Sequence, residues 1–262
     1  MIATRVLAKT LVASVDLVIP RLQGPRILIY HQVGSGLSHE MNVAVAVFRK
    51  QLDWMRSHGE IVSLDEAVKR RGEAHSDRLF VLTFDDGYRD VYVNAFPLMA
   101  RQGTPFTLYL TSGPIENRAS FPDWPGEPLS WDQICSMIDS GLVTIGAHTH
   151  THPDMRELTS EAVVEELDRS NELIARRTSI VPEHFTYPKG WWAAQAHEAV
   201  GARYLTATLG GGHSINELSD LHMLNRVPVQ RSDARALFTR KMRGGARTEE
   251  RLRRRFHGYQ GP

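Results

Sequence analysis

The sequence predicts an α/β barrel of about seven parallel strands, on three observations. First, seven short runs rich in β-branched and aromatic residues alternate with amphipathic helical patterns. Second, those runs are apolar almost throughout, as strands of a parallel sheet buried on both faces must be. Seven such strands favour closure into a barrel over an open sheet. Third, the residues with chemical potential gather where the runs end, and α/β folds build their sites at the C-terminal ends of strands. No internal repeat, low-complexity tract or Gly/Ser linker divides the chain.

Residues 1–24 begin with Ile2, Val6, Leu11, Val15 and Val18 at roughly helical spacing, interrupted by Arg5, Lys9 and Asp16. They read as an amphipathic helix, packed on the domain or lying at a membrane interface. The domain proper is expected over 25–242. Strands are expected at Arg26–His31, Leu79–Phe84, Phe106–Thr111, Val143–His148, His184–Pro188, Arg203–Thr208 and Met223–Val229. Helices fall between them. Val47–His58 turns Phe48, Leu52 and Met55 to one side, and Ser63 with Glu66 forms a capping-box pattern. A helix is expected over Tyr88–Gln102. Ser130 with Gln133 caps Trp131–Asp139, and Gly141 ends it. Thr159–Arg177, Trp192–Val200 and Asp233–Met242 complete the set. From 243 to 262 arginines crowd together, which reads as a basic, solvated tail.

The chain has 262 residues, 42% hydrophobic and 23% charged, enough for a full globular core. Thirty-one basic residues against 30 acidic ones give a net charge of +1, so nothing global points to nucleic acid. A single cysteine, Cys135, excludes an internal disulfide framework and a Cys-rich zinc site. No uncharged apolar run reaches the roughly 18 residues of a membrane span. With no export signal recognised, the expected location is cytoplasmic, with possible peripheral contact at the inner membrane face.

Three constellations carry the chemistry. Thr83-Phe84-Asp85-Asp86-Gly87 closes the second strand with adjacent carboxylates. At a strand-to-loop transition the two side chains can diverge, one to a metal and one to a proton. Gly146-Ala147-His148-Thr149-His150-Thr151-His152-Pro153 closes the fourth. His148 and His152 are four apart, so a helical turn would face both imidazoles one way, with His150 pointing elsewhere. Two imidazoles and a carboxylate leave coordination positions open, which suits catalysis. Phe185-Thr186-Tyr187-Pro188-Lys189-Gly190 closes the fifth, followed by Trp191 and Trp192. A Pro-x-Gly turn can aim backbone N–H groups at an oxyanion. The tryptophans could line a sugar or acyl pocket or simply pack.

These motifs resemble the polysaccharide deacetylase family, carbohydrate esterase family 4. The likeness extends to ILIYHQV at Ile27–Val33, to the stretch from Gln51 to Val68, and to LSWDQI at Leu129–Ile134. It implies a distorted (β/α) barrel with fewer than eight strands. It also implies removal of acetyl groups from N-acetylated sugars with one divalent metal ion, zinc above others. Carried over, Asp85 becomes the general base, and Asp86, His148 and His152 the metal ligands. The Lys189 N–H becomes an oxyanion donor. Tyr187, Pro188, Trp191 and Arg226 are assigned to the substrate side.

The sequence departs from the family in three places. Thr186 stands where members often carry an arginine that orients the base, and Arg226 on the last strand could replace it. Lys189 stands where a tyrosine is frequent. The late Leu-x-His motif that supplies the acid is not evident; His31 is the first candidate for that role and His222 the second. The expected function is therefore metal-dependent deacetylation of an N-acetylated sugar, glycan or lipid-linked glycan precursor. The alternatives are a hydrolase of other linear amides, or a silent glycan-binding relative.

Overall fold

A computed structural model describes residues 23–211, 215 and 218–244. The expected N-terminal helix, and the basic tail beyond Gly244, lie outside the described residues. In chain order the strands are β1 (Arg26–Tyr30), β2 (Gln32–Val33), β3 (Asn42–Val43), β4 (Glu60–Ile61), β5 (Leu79–Phe84), β6 (Phe106–Leu110), β7 (Val143–Ala147), β8 (His184–Thr186), β9 (Thr206–Gly210) and β10 (Leu224–Pro228). Seven of them close a parallel barrel in the order β1-β5-β6-β7-β8-β9-β10 and back to β1. The short β4 pairs outside β5 as an extra strand, and β2 pairs with β3 in a separate two-stranded ribbon. All seven expected strands are the barrel strands. Among the described residues no helix is long and apolar enough to cross a membrane.

The local signals act as their chemistry requires. Ser130 Oγ accepts from Gln133 N and Gln133 Oε1 accepts from Ser130 N, a complete capping box opening Trp131–Asp139. Helix Val45–His58 buries Phe48, Leu52 and Met55. Several elements differ from expectation. The helix expected over Trp192–Val200 opens as a 3₁₀ turn, Ala194–Ala196, and is α-helical only over His197–Gly201. The segment 88–102 is not one α-helix: Val91–Ala95 is a π-turn, followed by Phe96–Ala100. Pro97 supplies no N–H, so the ordinary ladder cannot run through it. The ninth strand begins at Thr206 rather than Arg203, because the N–H groups of Arg203 and Tyr204 donate to Val200 O and finish the preceding helix. The helix Ser112–Asn117 has no counterpart among the expected elements.

The π-turn also fixes the chain that follows β1. Asp90 Oδ1 accepts from Val33 N at 2.5 Å, and Asn94 Nδ2 donates to Val33 O at 2.8 Å. Burial pushes the Asp90 carboxyl up to about 7. Its folded value thus lies above the unfolded one, near 4, so the folded state holds the extra proton in between. The stability this gives is fully present below about pH 4 and is lost as pH rises to about 7. Asp90→Asn keeps an acceptor for Val33 and cannot ionise. It should be more stable than the parent by about 1–3 kcal/mol at pH 8, with the gap closing by pH 4.5. Paired denaturant titrations at the two pH values check this; a gap that does not widen with pH would contradict it.

Candidate active site

The C-terminal mouth of the barrel collects the three motifs. β5 delivers Asp85 and Asp86, β7 delivers His148 and β8 leads into Lys189. Asp85 N donates to Tyr30 O at 3.0 Å, which ties the end of β5 to the end of β1. Gly87 follows with φ +98, and a Cβ there would stand 2.8 Å from Ile115 Cδ1. Both the conformation and the space require glycine. Backbone strain gathers at the mouth: Asp86, Thr149, His152 and Lys189 all have positive φ. Such conformations cost of order 1 kcal/mol or more each and persist where surrounding bonds enforce them.

Those bonds are visible around the histidine motif. It forms an irregular turn, not a helical one. Glu166, from helix Ser160–Thr178, accepts from His150 N at 2.9 Å, Thr151 N at 2.8 Å and Thr151 Oγ1 at 2.8 Å. Thr149 Oγ1 accepts from His152 N at 3.1 Å. The turn brings the imidazoles of His148 and His152 to 4.7 Å between centroids. His150 points away, as expected, with Nδ1 2.9 Å from Ser112 Oγ.

Asp86 Oδ1 lies 3.5 Å from His148 Nε2 and 3.6 Å from His152 Nε2. All three residues are buried, and one ligand atom from each lies within 4.8 Å of the others. Metal–ligand bonds of about 2.0–2.1 Å at tetrahedral angles place donor atoms roughly 3.3 Å apart, so the two edges from Asp86 suit one small divalent ion, and the imidazoles would draw together around it. His148 Nδ1 is 2.7 Å from Thr186 O. That bond holds the proton on Nδ1 and leaves the Nε2 lone pair facing the triangle. Burial, then the neighbouring His152, push His148 down to about 4, so its ring is neutral at physiological pH, as a ligand must be. His152 is drawn the other way: Asp123 and Asp86 outweigh burial and raise it.

Asp85 is held by Arg226 rather than by the histidines. Two 2.7 Å bonds join the guanidinium to both carboxylate oxygens. The same guanidinium donates to Thr83 Oγ1 at 2.9 Å and Thr186 Oγ1 at 2.7 Å. Burial would push the Asp85 carboxyl up; the charge of Arg226 and its hydrogen bonds outweigh burial and hold it at about 2. Arg226 therefore fixes both oxygens of Asp85. Its assignment to the substrate side is corrected: it is 1% exposed and committed to Asp85. Tyr187 is corrected as well. Its ring is fully buried against Phe185 in the core, which removes it from the substrate side.

The remaining candidates separate by place. His31 follows β1 beside the mouth, its Nδ1 buried and without a partner, close enough to contribute to the field at Asp85. His222 precedes β10, at the opposite end of the barrel, with Nε2 2.9 Å from Tyr204 O, which is why it cannot reach the mouth. Pro188 is buried in the turn. Trp191 is half-buried beneath the Arg156 guanidinium, 3.9 Å from its ring centroid. The Lys189 ammonium reaches Asp123, 2.8 and 2.9 Å from its two oxygens. Asp123 also approaches His152 Nδ1 at 3.1 Å, an ion-pair separation whose geometry falls short of a hydrogen bond. The contact with His152, then that with Lys189, hold the Asp123 carboxyl below the usual range despite burial. Sequence reasoning missed Asp123 and Glu166, since neither sits in a strand-end motif. Beside the mouth a groove of about 630 Å³ runs between the loops after β1, β5 and β6, lined by Ser35, Arg89, Asp90, Asn94, Arg118 and Glu127 among others.

A parallel barrel with this mouth defines a class, and the comparisons supply the family. The polysaccharide deacetylase profile matches residues 72–206, half of the chain, and the chain belongs to that family. Among individual relatives, the Bacillus subtilis protein named "Putative polysaccharide deacetylase YxkH" is 25% identical over 209 residues, 78% of this chain and 70% of that one. The poly-β-1,6-N-acetyl-D-glucosamine N-deacetylase of Escherichia coli K12 is 28% identical over 120 residues, 42% of this chain and 18% of that protein. Among solved structures, IcaB from Ammonifex degensii superposes with a TM-score of 0.71 at 23% identity, over 85% of this chain and 100% of that one. At that identity the likeness concerns the fold.

Proposed function

We propose that this chain is a divalent-metal-dependent deacetylase that hydrolyses the acetamide of an N-acetylated sugar within a glycan or glycan precursor. The observation that carries the reading is a buried Asp86-His148-His152 triangle with a second carboxylate, Asp85, fixed beside it at the barrel mouth. A donor set of two nitrogens and one oxygen with open positions suits zinc among divalent ions. Relatives named as N-deacetylases of poly-β-1,6-N-acetyl-D-glucosamine favour a hexosamine substrate. The neighbouring groove, of mixed apolar and polar lining with Ser35, Arg89, Asn94 and Glu127 among its residues, offers room for an adjoining sugar unit.

The geometry supports the following roles. Asp86, His148 and His152 would hold the ion, which when bound supplies Lewis acidity to the acetyl carbonyl and to the attacking water. Asp85 accepts the water's proton. A carboxylate held near 2 is a poor base towards ordinary water, so its competence depends on that acidified partner. Arg226 keeps both oxygens in place while the proton moves. The Lys189 N–H, displayed by a residue with φ 61, donates to the developing oxyanion. The C–O bond forms, the C–N bond breaks, acetate departs, and the sugar nitrogen needs a proton.

His31 is the residue placed to give that proton, with an unpartnered ring nitrogen beside the mouth. His31→Ala should keep the metal and lose turnover on amides, about 100-fold or more, while losing much less on an ester with a good leaving group. Equal losses on both substrates, measured in metal-loaded protein, would remove His31 as the acid.

Acetate release across a panel of N-acetylated sugars, polymeric, oligomeric and lipid-linked, tests the proposal as a whole. Release from at least one N-acetylhexosamine substrate is expected. Stoichiometric metal with no release from any member would favour the silent, glycan-binding reading instead.

A further inference from the structure

The two histidines of the triangle are anchored by different parts of the molecule. His148 Nδ1 is held by a carbonyl of the barrel wall, Thr186 O. His152 Nδ1 faces no carbonyl; Asp123 Oδ2 lies 3.1 Å away, and Nδ1 makes no hydrogen bond to any other group. Asp123 does not come from a strand end. It lies on the loop between helices Ser112–Asn117 and Trp131–Asp139, which crosses the barrel mouth.

That loop is fastened on both sides of Asp123. Trp124 stacks on His39 at 5.1 Å between centroids, and Pro125 O accepts from Gln32 Nε2 at 2.8 Å, both in the segment after β1. Glu127 O accepts from Arg89 N at 2.8 Å, in the segment after β5. Asp123 reaches the far rim, where it meets His152 and also the ammonium of Lys189. One carboxylate thus joins a candidate metal ligand to the turn whose N–H is the candidate oxyanion donor.

We propose that Asp123 is a positioning residue that orients His152 for metal binding, so that the ordering of the mouth-crossing loop and the occupancy of the metal site are coupled. The inference rests on the metal reading of Asp86, His148 and His152 given above. Its physical basis is general: a ligating imidazole is oriented through its other ring nitrogen, and loss of the partner typically weakens metal affinity about 10- to 100-fold. Here that partner arrives on a loop, so the dependence should run both ways. Lys189 contributes by drawing the same carboxylate to the rim.

The test measures zinc affinity of the full chain by competition with a chromogenic chelator, for the parent, Asp123→Ala, Asp123→Asn and Asp123→Glu. The parent should bind one zinc. Asp123→Ala should bind it about 10- to 100-fold more weakly, with Asp123→Glu recovering part of the loss. Circular dichroism and thermal melting of the metal-free proteins should be alike, which separates positioning from folding. Should Asp123→Ala fold poorly, Asp123→Asn preserves shape and is compared in its place. Hydrogen exchange supplies a second readout: zinc should slow exchange across 119–128 in the parent and much less in Asp123→Ala. Affinities within twofold across all four proteins would overturn the proposal while leaving the metal site intact. A parent that binds no zinc would remove the metal reading, and this inference with it.

Discussion

His148→Ala is expected to remove metal and activity together. The triangle has three protein donors, and two are too few for a usual catalytic zinc site. Removing this ring also frees Thr186 O, buried in the barrel wall, from its 2.7 Å partner. His152→Ala should behave the same way towards metal, since its Nε2 is equally close to Asp86 Oδ1. Elemental analysis of the purified variants should find well under one equivalent, and acetate release should fall to background. A His152→Ala protein that keeps a full equivalent would show the ligand assignment to be wrong.

The second large effect is expected at the Asp85–Arg226 pair, where two variants should fail for different reasons. Asp85→Asn keeps the shape of the side chain and removes the base. It should hold its metal and lose about 100-fold or more in turnover. Arg226→Met removes the partner instead, leaving a fully buried carboxylate without its cation. Breaking a buried pair in this way typically costs about 3–5 kcal/mol of stability. Thr83 and Thr186 also lose their shared donor. Arg226→Met should therefore melt well below the parent, and what folds should work poorly because Asp85 is no longer fixed. The double variant Asp85→Asn/Arg226→Met should recover part of the lost stability, since no uncompensated charge remains. If the double variant is no more stable than Arg226→Met alone, the buried charge is not the cause.

The barrel was legible in the sequence because its strands are buried on both faces. β5 reads LFVLTF and β6 reads FTLYL, and such runs have few other structures open to them. The helix caps were legible because Ser130 with Gln133 satisfies orphan N–H groups by a local, sequence-adjacent device. The π-turn was not. Helical periodicity runs through 88–102, and only the combination of Pro97 with the pull of Asp90 and Asn94 on the chain after β1 changes the winding.

The site divides along the same line. Asp85, Asp86, His148 and His152 sit in short motifs at strand ends, so their convergence follows once the strands are placed. The form of the turn that joins His148 to His152 was not legible, because spacing alone cannot distinguish a helical turn from a loop pinned by Glu166, whose helix begins eight residues beyond His152. Tyr187 was misread because it neighbours Pro188 and Lys189 in sequence, while strand alternation turns its ring inward. Asp123 was invisible for a different reason: its meaning depends on where the connection over 118–130 crosses the mouth, and no periodicity encodes that path. Arg226 lay between these cases. A buried arginine on a strand must find an anion, and Asp85 is the carboxylate its strand faces.

Metal-dependent release of acetate at this mouth is the central expectation for the molecule. The most direct measurement strips the 262-residue chain with a chelator, restores zinc in increments, and follows acetate release from an N-acetylglucosamine polymer at each step. Activity should be absent in the stripped protein and rise linearly to a plateau at one equivalent, with no recovery in His148→Ala. Undiminished acetate release by fully stripped protein, or a plateau unaffected by His148→Ala, would contradict it.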